Sequence, residues 1–273
     1  MLPILERPAT HMEQTRPLQL QDVSVFYDGV QALEEISFAV DAGERVAIVG
    51  PNGAGKTTLF QVIAGIEEPS LGKISVYGHQ PGGHVCIAYV PQRSKVDWSF
   101  PVSVTDVVMM GRVRKIGFFR WPSRQDWAFV RSALDQVGMS EYTERQISAL
   151  SGGQQQRVFL AQAVAQGAEI VLLDEPLTGL DLPSQEAILT ILDGFKRAGV
   201  TVLVATHDLN LAAENFDQVL LLNRRVVSYG PPAEALTTKT LSEAYGGHLH
   251  RLDHEGSLLL ADTCCEGEEH AHD

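Results

Sequence analysis

The sequence predicts an α/β fold in which helices cover a parallel sheet and a helical insert interrupts it. Three observations carry that prediction. Several short apolar runs lack the alternation of a strand with one wet face. Segments with apolar residues every three or four positions lie between those runs. One run leads directly into a glycine-rich loop. At 273 residues the chain suits one large domain or two small ones and has ample length to bury a core.

Taken in order, residues 1–17 are polar, Pro-interrupted and aperiodic, and read as a flexible leader. From Leu18 the pattern turns β-rich: LQLQDVSVFY (18–27), ISFAV (36–40), RVAIVG (45–50), KISVYG (73–78), CIAYV (86–90), EIVLLD (169–174) and TVLVAT (201–206). The runs 46–49, 170–173 and 202–204 are apolar throughout, as strands buried on both faces are. In SRQDWAFVRSALDQVGM (123–139), Trp127, Val130, Leu134 and Val137 mark one helical face. Ser123 and Asp126 resemble a capping box there, and Gly138 is placed to end the helix. In LPSQEAILTILDGFKRAG (182–199), Ile188, Ile191, Leu192 and Phe195 share a face, Pro183 suits the first turn and Gly199 stops the helix. The span from about 99 to 167 shows helices and no convincing strand, which makes it the insert. Residues 236–273 are expected to hold a C-terminal helix and an acidic tail rich in His and Cys.

Composition excludes several classes. Apolar residues make up 44% and charged residues 20%, an ordinary globular balance. Twenty-one basic residues against 34 acidic ones give a net charge of −13, which disfavours gripping nucleic-acid phosphates. No stretch approaches the ~20 consecutive apolar residues of a membrane helix, and the N-terminus lacks the basic start of a signal peptide. Cys86, Cys264 and Cys265 do not make a disulfide framework. A reducing compartment is expected, with any membrane role arising through a partner.

The strongest motif is GPNGAGKTT (50–58), directly after RVAIV. It satisfies G-x-x-x-x-G-K-[ST] with Gly50, Gly55, Lys56 and Thr57. Glycines let the backbone approach a phosphate, so that N–H groups point inward, and the following helix adds its positive end. Lys56 would reach the β- and γ-phosphates, and the Thr57 hydroxyl suits Mg²⁺. This loop predicts a nucleoside triphosphate site. A second strand must carry an acid for the metal, and EIVLLDEP (169–176) ends in Asp174 and Glu175. Asp174 would hold Mg²⁺ through water, and Glu175 would polarise the attacking water.

ALSGGQQQR (149–157) resembles the signature motif of ABC-type ATPases. Ser151, Gly152 and Gly153 would open a helix that begins near Gln154, a second anion-binding surface. The resemblance covers roughly residues 18–235, and its other elements stand in order. It implies an ABC cassette with a RecA-like P-loop core, an antiparallel β subdomain and the helical insert. ATP and Mg²⁺ would be held by Pro51, Asn52, Gly53, Ala54 and Thr58 along with the motif residues. Tyr27 looks like the aromatic that stacks on adenine, the other reading being a core strand aromatic. Gln92, in YVPQR, matches the glutamine that contacts Mg²⁺ or water and senses a membrane partner. Asp181, in TGLD (178–181), falls in the loop that couples two sites, and His207 matches the switch histidine that contacts the γ-phosphate and positions Glu175. In the family, two subunits pair head to tail, so that Ser151, Gly152, Gly153 and Gln154 close over the other subunit's ATP.

The stretch 89–126 looks like the manganese, zinc or iron(II) importer branch of that family, with manganese first. This implies separate transmembrane permease subunits, an extracytoplasmic metal-binding protein, no nucleic-acid partner and a place at the cytoplasmic face of the plasma membrane. An iron-siderophore or haem importer and a soluble ABC ATPase are the alternatives. Trp98, Phe100, Phe118, Phe119 and Trp121 would line a groove for the permease, or else pack the insert's own small core. His248, His250, His254, Cys264, Cys265, His270 and His272 fit no closed metal-site spacing; a metal-sensing tail and a merely acidic one both remain open.

Overall fold

The computed structural model describes residues 16–81, 86–117, 120–246, 249–254 and 257–262. The chain opens with β1 (Leu18–Tyr27) and β2 (Val30–Val40), followed by β3 (Arg45–Val49), α1 (Lys56–Ile63), β4 (Leu71–Val76) and β5 (Ile87–Val90). The helical insert contributes α2 (Val104–Met110), α3 (Val113–Ile116), α4 (Arg124–Gln136) and α5 (Gly152–Gln166). The core resumes with β6 (Ile170–Asp174), α6 (Leu182–Arg197), β7 (Thr201–Thr206), α7 (Leu209–Asn215), β8 (Gln218–Asn223) and β9 (Arg225–Gly230). After α8 (Pro232–Ala235) and α9 (Thr238–Tyr245), β10 (Leu249–His254) pairs antiparallel with β11 (Ser257–Asp262).

The main sheet runs β5-β6-β7-β3-β8-β9, parallel from β5 to β8, with β9 antiparallel at the edge. A second, antiparallel sheet runs β2-β1-β4. The unalternating runs are explained by two cores on opposite faces of the main sheet. Ala47, Val49, Val171, Leu173, Val202 and Val204 face the core built with the insert and α6. Val46, Ile48, Ile170, Leu172, Leu203 and Ala205 face the core shared with α1 and the small sheet. All twelve are at most 1% exposed. Each of the larger ones contributes about 1.5–3 kcal/mol by leaving water.

Local chemistry sets the element ends. Asp28 and Gly29 take φ of 47° and 81°, the paired left-handed geometry of a tight hairpin that starts β2 at Val30, six residues before the apolar run ISFAV. Ser123 and Asp126 form the capping box of α4, and Gly138 follows the helix at φ 66°. Trp127 lies off the buried stripe of α4, at 39% exposed, while Val130 and Leu134 are buried. In α6, Ile188, Leu192 and Phe195 form the buried face.

A buried ion pair ties the helices of the insert to one another. Nε and Nη2 of Arg112 donate to Asp126 Oδ1 at 3.1 and 2.9 Å, and Nη1 donates to the Ala165 carbonyl at 3.1 Å. Arg112 therefore joins the start of α4 to the last turn of α5. The features not read from sequence include β8 and β9, which complete the main sheet, the short helices α7 and α8, and the β10–β11 hairpin, where an acidic tail was expected. His250 and His254 fall on β10; Phe118, Phe119, His248, Cys264, Cys265, His270, His272 and nearly all the leader lie outside the described residues. Among the described residues, no helix is long and apolar enough to cross a membrane.

Candidate functional site

Four adjacent parallel strands, β5, β6, β7 and β3, end at one edge of the sheet, where α/β folds present ligand crevices. The segment after β3 is 50–58; those after β5, β6 and β7 begin with Gln92, Glu175 and His207 close by. Sites as far apart in sequence as Thr57 and His207 are thereby gathered at one place.

The loop after β3 needs its glycines for different reasons. A Cβ on Gly50 would stand 2.0 Å from the Leu222 carbonyl oxygen on β8. One on Gly55 would meet Leu33 Cδ2 at 2.6 Å and the Ala32 carbonyl oxygen at 2.7 Å, at a φ of 95°. Nothing crowds Gly53, but its φ of 78° is left-handed. Lys56 is nearly buried and donates to the carbonyls of Gly50 and Pro51 at 2.6 and 3.0 Å. Burial holds its ammonium below the usual lysine range, opposed by the charges of Glu175 and Asp174. Asn52 and Ala54 complete the turn, and Thr57 and Thr58 lie in the first turn of α1.

The two acids point to different partners, which separates their charges. Asp174, only 3% exposed at the end of β6, accepts from Thr57 Oγ1 at 2.8 Å. Tyr89 on β5 also bonds Asp174; its phenol is pushed up to about 12, first by burial and then by that carboxylate's charge. Glu175 has φ 51°, a left-handed conformation that costs a non-glycine residue about 1–3 kcal/mol and marks functional sites. It accepts from Gln92 Nε2 at 3.0 Å and from Thr178 Oγ1 at 3.4 Å, and lies 3.9 Å from His207 Nδ1. His207 stays well exposed. Gln92, Arg93, Ser94, Trp98, Glu175 and Thr178 line a cleft of about 360 Å³. Thr57 and Asp174 offer oxygen donors, the hard ligands that Mg²⁺ takes, and Gln92 reaches the same edge through Glu175.

The 151–154 segment departs from expectation in detail. Helix α5 begins at Gly152, two residues early, because Ser151 caps it: Ser151 Oγ accepts from Gln154 N–H at 3.3 Å, and Gln154 Oε1 accepts from Ser151 N–H at 2.9 Å. The Ser151 hydroxyl keeps its own proton to donate. A Cβ on Gly153 would stand 2.5 Å from Ser184 Oγ, so this glycine permits close approach of α6. Asp181 N-caps α6, accepting from Ser184 N–H at 3.3 Å.

Tyr27 ends β1 and is 39% exposed, which removes the core-aromatic reading. Trp98 is not a free surface aromatic. It packs edge-on against Phe159 of α5 and donates its indole N–H to the Arg93 carbonyl at 2.9 Å. Phe100 and Trp121, at 58% and 92% exposed, do face solvent. Sequence reasoning missed Tyr89 and Arg93; the one available signal was their position beside Gln92 in YVPQR.

The profile of the family described as ABC transporter matches residues 33–178. The manganese transport system ATP-binding protein MntB of Bacillus subtilis is 46% identical over 234 residues, covering 85% of this chain and 94% of that protein. The zinc transport system ATP-binding protein TroB of Treponema pallidum is 43% identical, with 85% and 88% covered. A chelated iron transport system protein of Yersinia pestis, YfeB, is 43% identical, with 93% and 88% covered. Among solved structures, an inward-facing metal-chelate type ABC transporter superposes with a TM-score of 0.76 at 30% identity, covering 89% of this chain and 94% of that one. With its phosphate-binding loop, acidic strand end and helical insert, the chain belongs to the ABC transporter family and is an ATP-hydrolysing subunit of that family.

Proposed function

We propose that the chain powers a bacterial importer of divalent metal ions, manganese foremost, by hydrolysing ATP in a head-to-tail pair. The observation that carries the metal assignment is the similarity to manganese, zinc and chelated-iron subunits, each matched over at least 88% of its length. Chelated iron is the second reading, favoured by YfeB and by the metal-chelate transporter structure.

In this reading, the backbone of Gly50, Pro51, Asn52, Gly53, Ala54 and Gly55, with Thr58, cradles the phosphates. Lys56 shifts from its loop carbonyls to the β- and γ-phosphates. Tyr27 stacks on adenine. Thr57 and Asp174, with Gln92, would hold Mg²⁺, which supplies neutralisation of the phosphate charge when bound. Glu175 accepts a proton from the attacking water, and His207 orients that carboxylate. Ser151, Gly152, Gly153 and Gln154 of a second copy close over the nucleotide, and Asp181 couples the paired sites. The exposed Phe100 and Trp121 meet separate permease subunits at the cytoplasmic face of the plasma membrane, with an extracytoplasmic metal-binding protein beyond them.

Two experiments test this. Glu175→Gln keeps the side chain's shape and its bond from Gln92, and removes the base. Turnover should fall at least 10²-fold, the usual worth of a general base, while ATP stays bound. Normal turnover would sink the base assignment. Cells lacking this chain, grown in limiting Mn, Zn or Fe, should lose one metal, rescued by wild type and not by Lys56→Ala. Loss of manganese supports the first reading, loss of chelated iron the second, and no loss defeats both.

A further inference from the structure

Two neighbouring side chains on the segment after β5 reach in different directions. Gln92 Nε2 donates to the Glu175 carboxylate at 3.0 Å. Arg93 Nε donates to Gln155 Oε1 at 3.0 Å. Gln155 is 3% exposed on the first turn of α5, and its Nε2 donates to the Ile147 carbonyl at 3.0 Å, so its oxygen is held toward the guanidinium. A second contact fastens the same segment four residues along α5. Trp98, bonded to the Arg93 carbonyl, meets Phe159 at 5.7 Å between ring centroids and a 79° interplanar angle. Gln155 and Phe159 are i and i+4, one face of one helix. Gly152 completes the seat, because a Cβ there would stand 2.8 Å from Arg93 Nη1.

We propose that Arg93 is a positioning residue that ties the segment carrying Gln92 to the N-terminal turn of α5. The tie fixes where Gln92 stands against the Glu175 carboxylate. The chain of contacts is short: α5 holds Arg93 through Gln155, Arg93 directly follows Gln92 with no residue between them, and Gln92 holds Glu175. Without the tie, the Glu175 side chain loses the steady hold of that donor, and hydrolysis slows. The charge-assisted bond from Arg93 is the stiffest element of that tie. This inference rests on Glu175 acting as the base and names a residue upstream of it.

The test is a double-mutant cycle on the full-length chain with Arg93→Met and Gln155→Leu, each close in size to the residue it replaces. Each single variant should lower kcat roughly tenfold, what one hydrogen bond to a charged group is worth, with KM for ATP within about twofold. The double variant should be no slower than the slower single. Amide hydrogen exchange of residues 91–99 should quicken in both singles, and Arg93→Lys, which keeps a donor, should recover part of kcat. Multiplying losses in the double variant, unchanged exchange, or a KM change without a kcat change would each overturn the tie. The exchange readout needs no catalysis, so a failure of the base assignment, seen with Glu175→Gln, is told apart from a failure of Arg93.

Discussion

Replacing Arg112 with Met removes the tie between the helices of the insert while keeping most of the side chain's apolar volume. The side chains of Arg112 and Asp126 are only 9% and 11% exposed, so both charges lie largely out of water. The substitution deletes two bonds to Asp126 Oδ1, one to the Ala165 carbonyl and a cation–π contact 4.3 Å from the Phe129 ring centre. Ala165 lies in the last turn of α5, where carbonyls have no helical partner, so its oxygen is stranded. Breaking a buried pair by removing one partner costs about 3–5 kcal/mol. The low end applies here. Asp126 Oδ2 still accepts from the Ser123 hydroxyl and N–H at 2.6 and 2.9 Å, so its charge is not wholly orphaned. About 3 kcal/mol corresponds to a Tm fall of about 6–12 °C for a chain of this size. Thermal melting followed by circular dichroism at pH 7 measures it.

The pH dependence gives a second reading of the same pair. The Ser123 hydroxyl, chiefly, holds the Asp126 carboxyl below the usual 3.8; burial opposes this, and the Ser123 N–H and Arg112 add to it. A depressed folded pKa stabilises above the unfolded value and is lost as pH falls through the folded one. The gap between wild type and Arg112→Met should therefore be full at pH 7 and shrink below about pH 4. A Tm change under about 2 °C at pH 7, or a gap that widens in acid, would refute the reasoning.

Three further outcomes are expected. Gly50→Ala places a methyl 2.0 Å from the Leu222 carbonyl oxygen, so fluorescent-ATP titration should show affinity falling at least tenfold; near-normal binding would show that β8 yields. His207→Ala removes the imidazole 3.9 Å from Glu175 but no phosphate-loop contact, so ATP should bind normally while steady-state turnover drops at least 10²-fold. Trp121→Ala, at a side chain 92% exposed, should leave Tm within about 1 °C and yet abolish metal uptake in cells, and normal uptake would remove that aromatic from the permease surface.

The sequence alone determined whatever depends on one element and its immediate neighbours. Short, Val- and Ile-rich apolar runs without alternation pointed to strands buried on both faces, because a strand with one wet face alternates and runs this short are below helical length. The glycine-rich turn into α1, the capping box at Ser123 and Asp126, and the stop at Gly138 were legible because each is a demand on local φ/ψ or on orphaned N–H groups. Asp174 and Glu175 were legible as the acids that end an apolar strand, and Tyr27, Gln92 and His207 as candidates through the family resemblance. What only the tertiary structure decided is who meets whom. The pairing of β5, β6 and β7 brings Gln92 and His207 to one carboxylate, and β3, placed beyond β7 out of chain order, brings Thr57 to Asp174. The bonds from Arg93 to Gln155 and from Arg112 to Ala165 span 62 and 53 residues, and no local period encodes a partner at that distance. Periodicity says which face of a segment avoids water, whereas long-range packing chooses which other face it avoids water against.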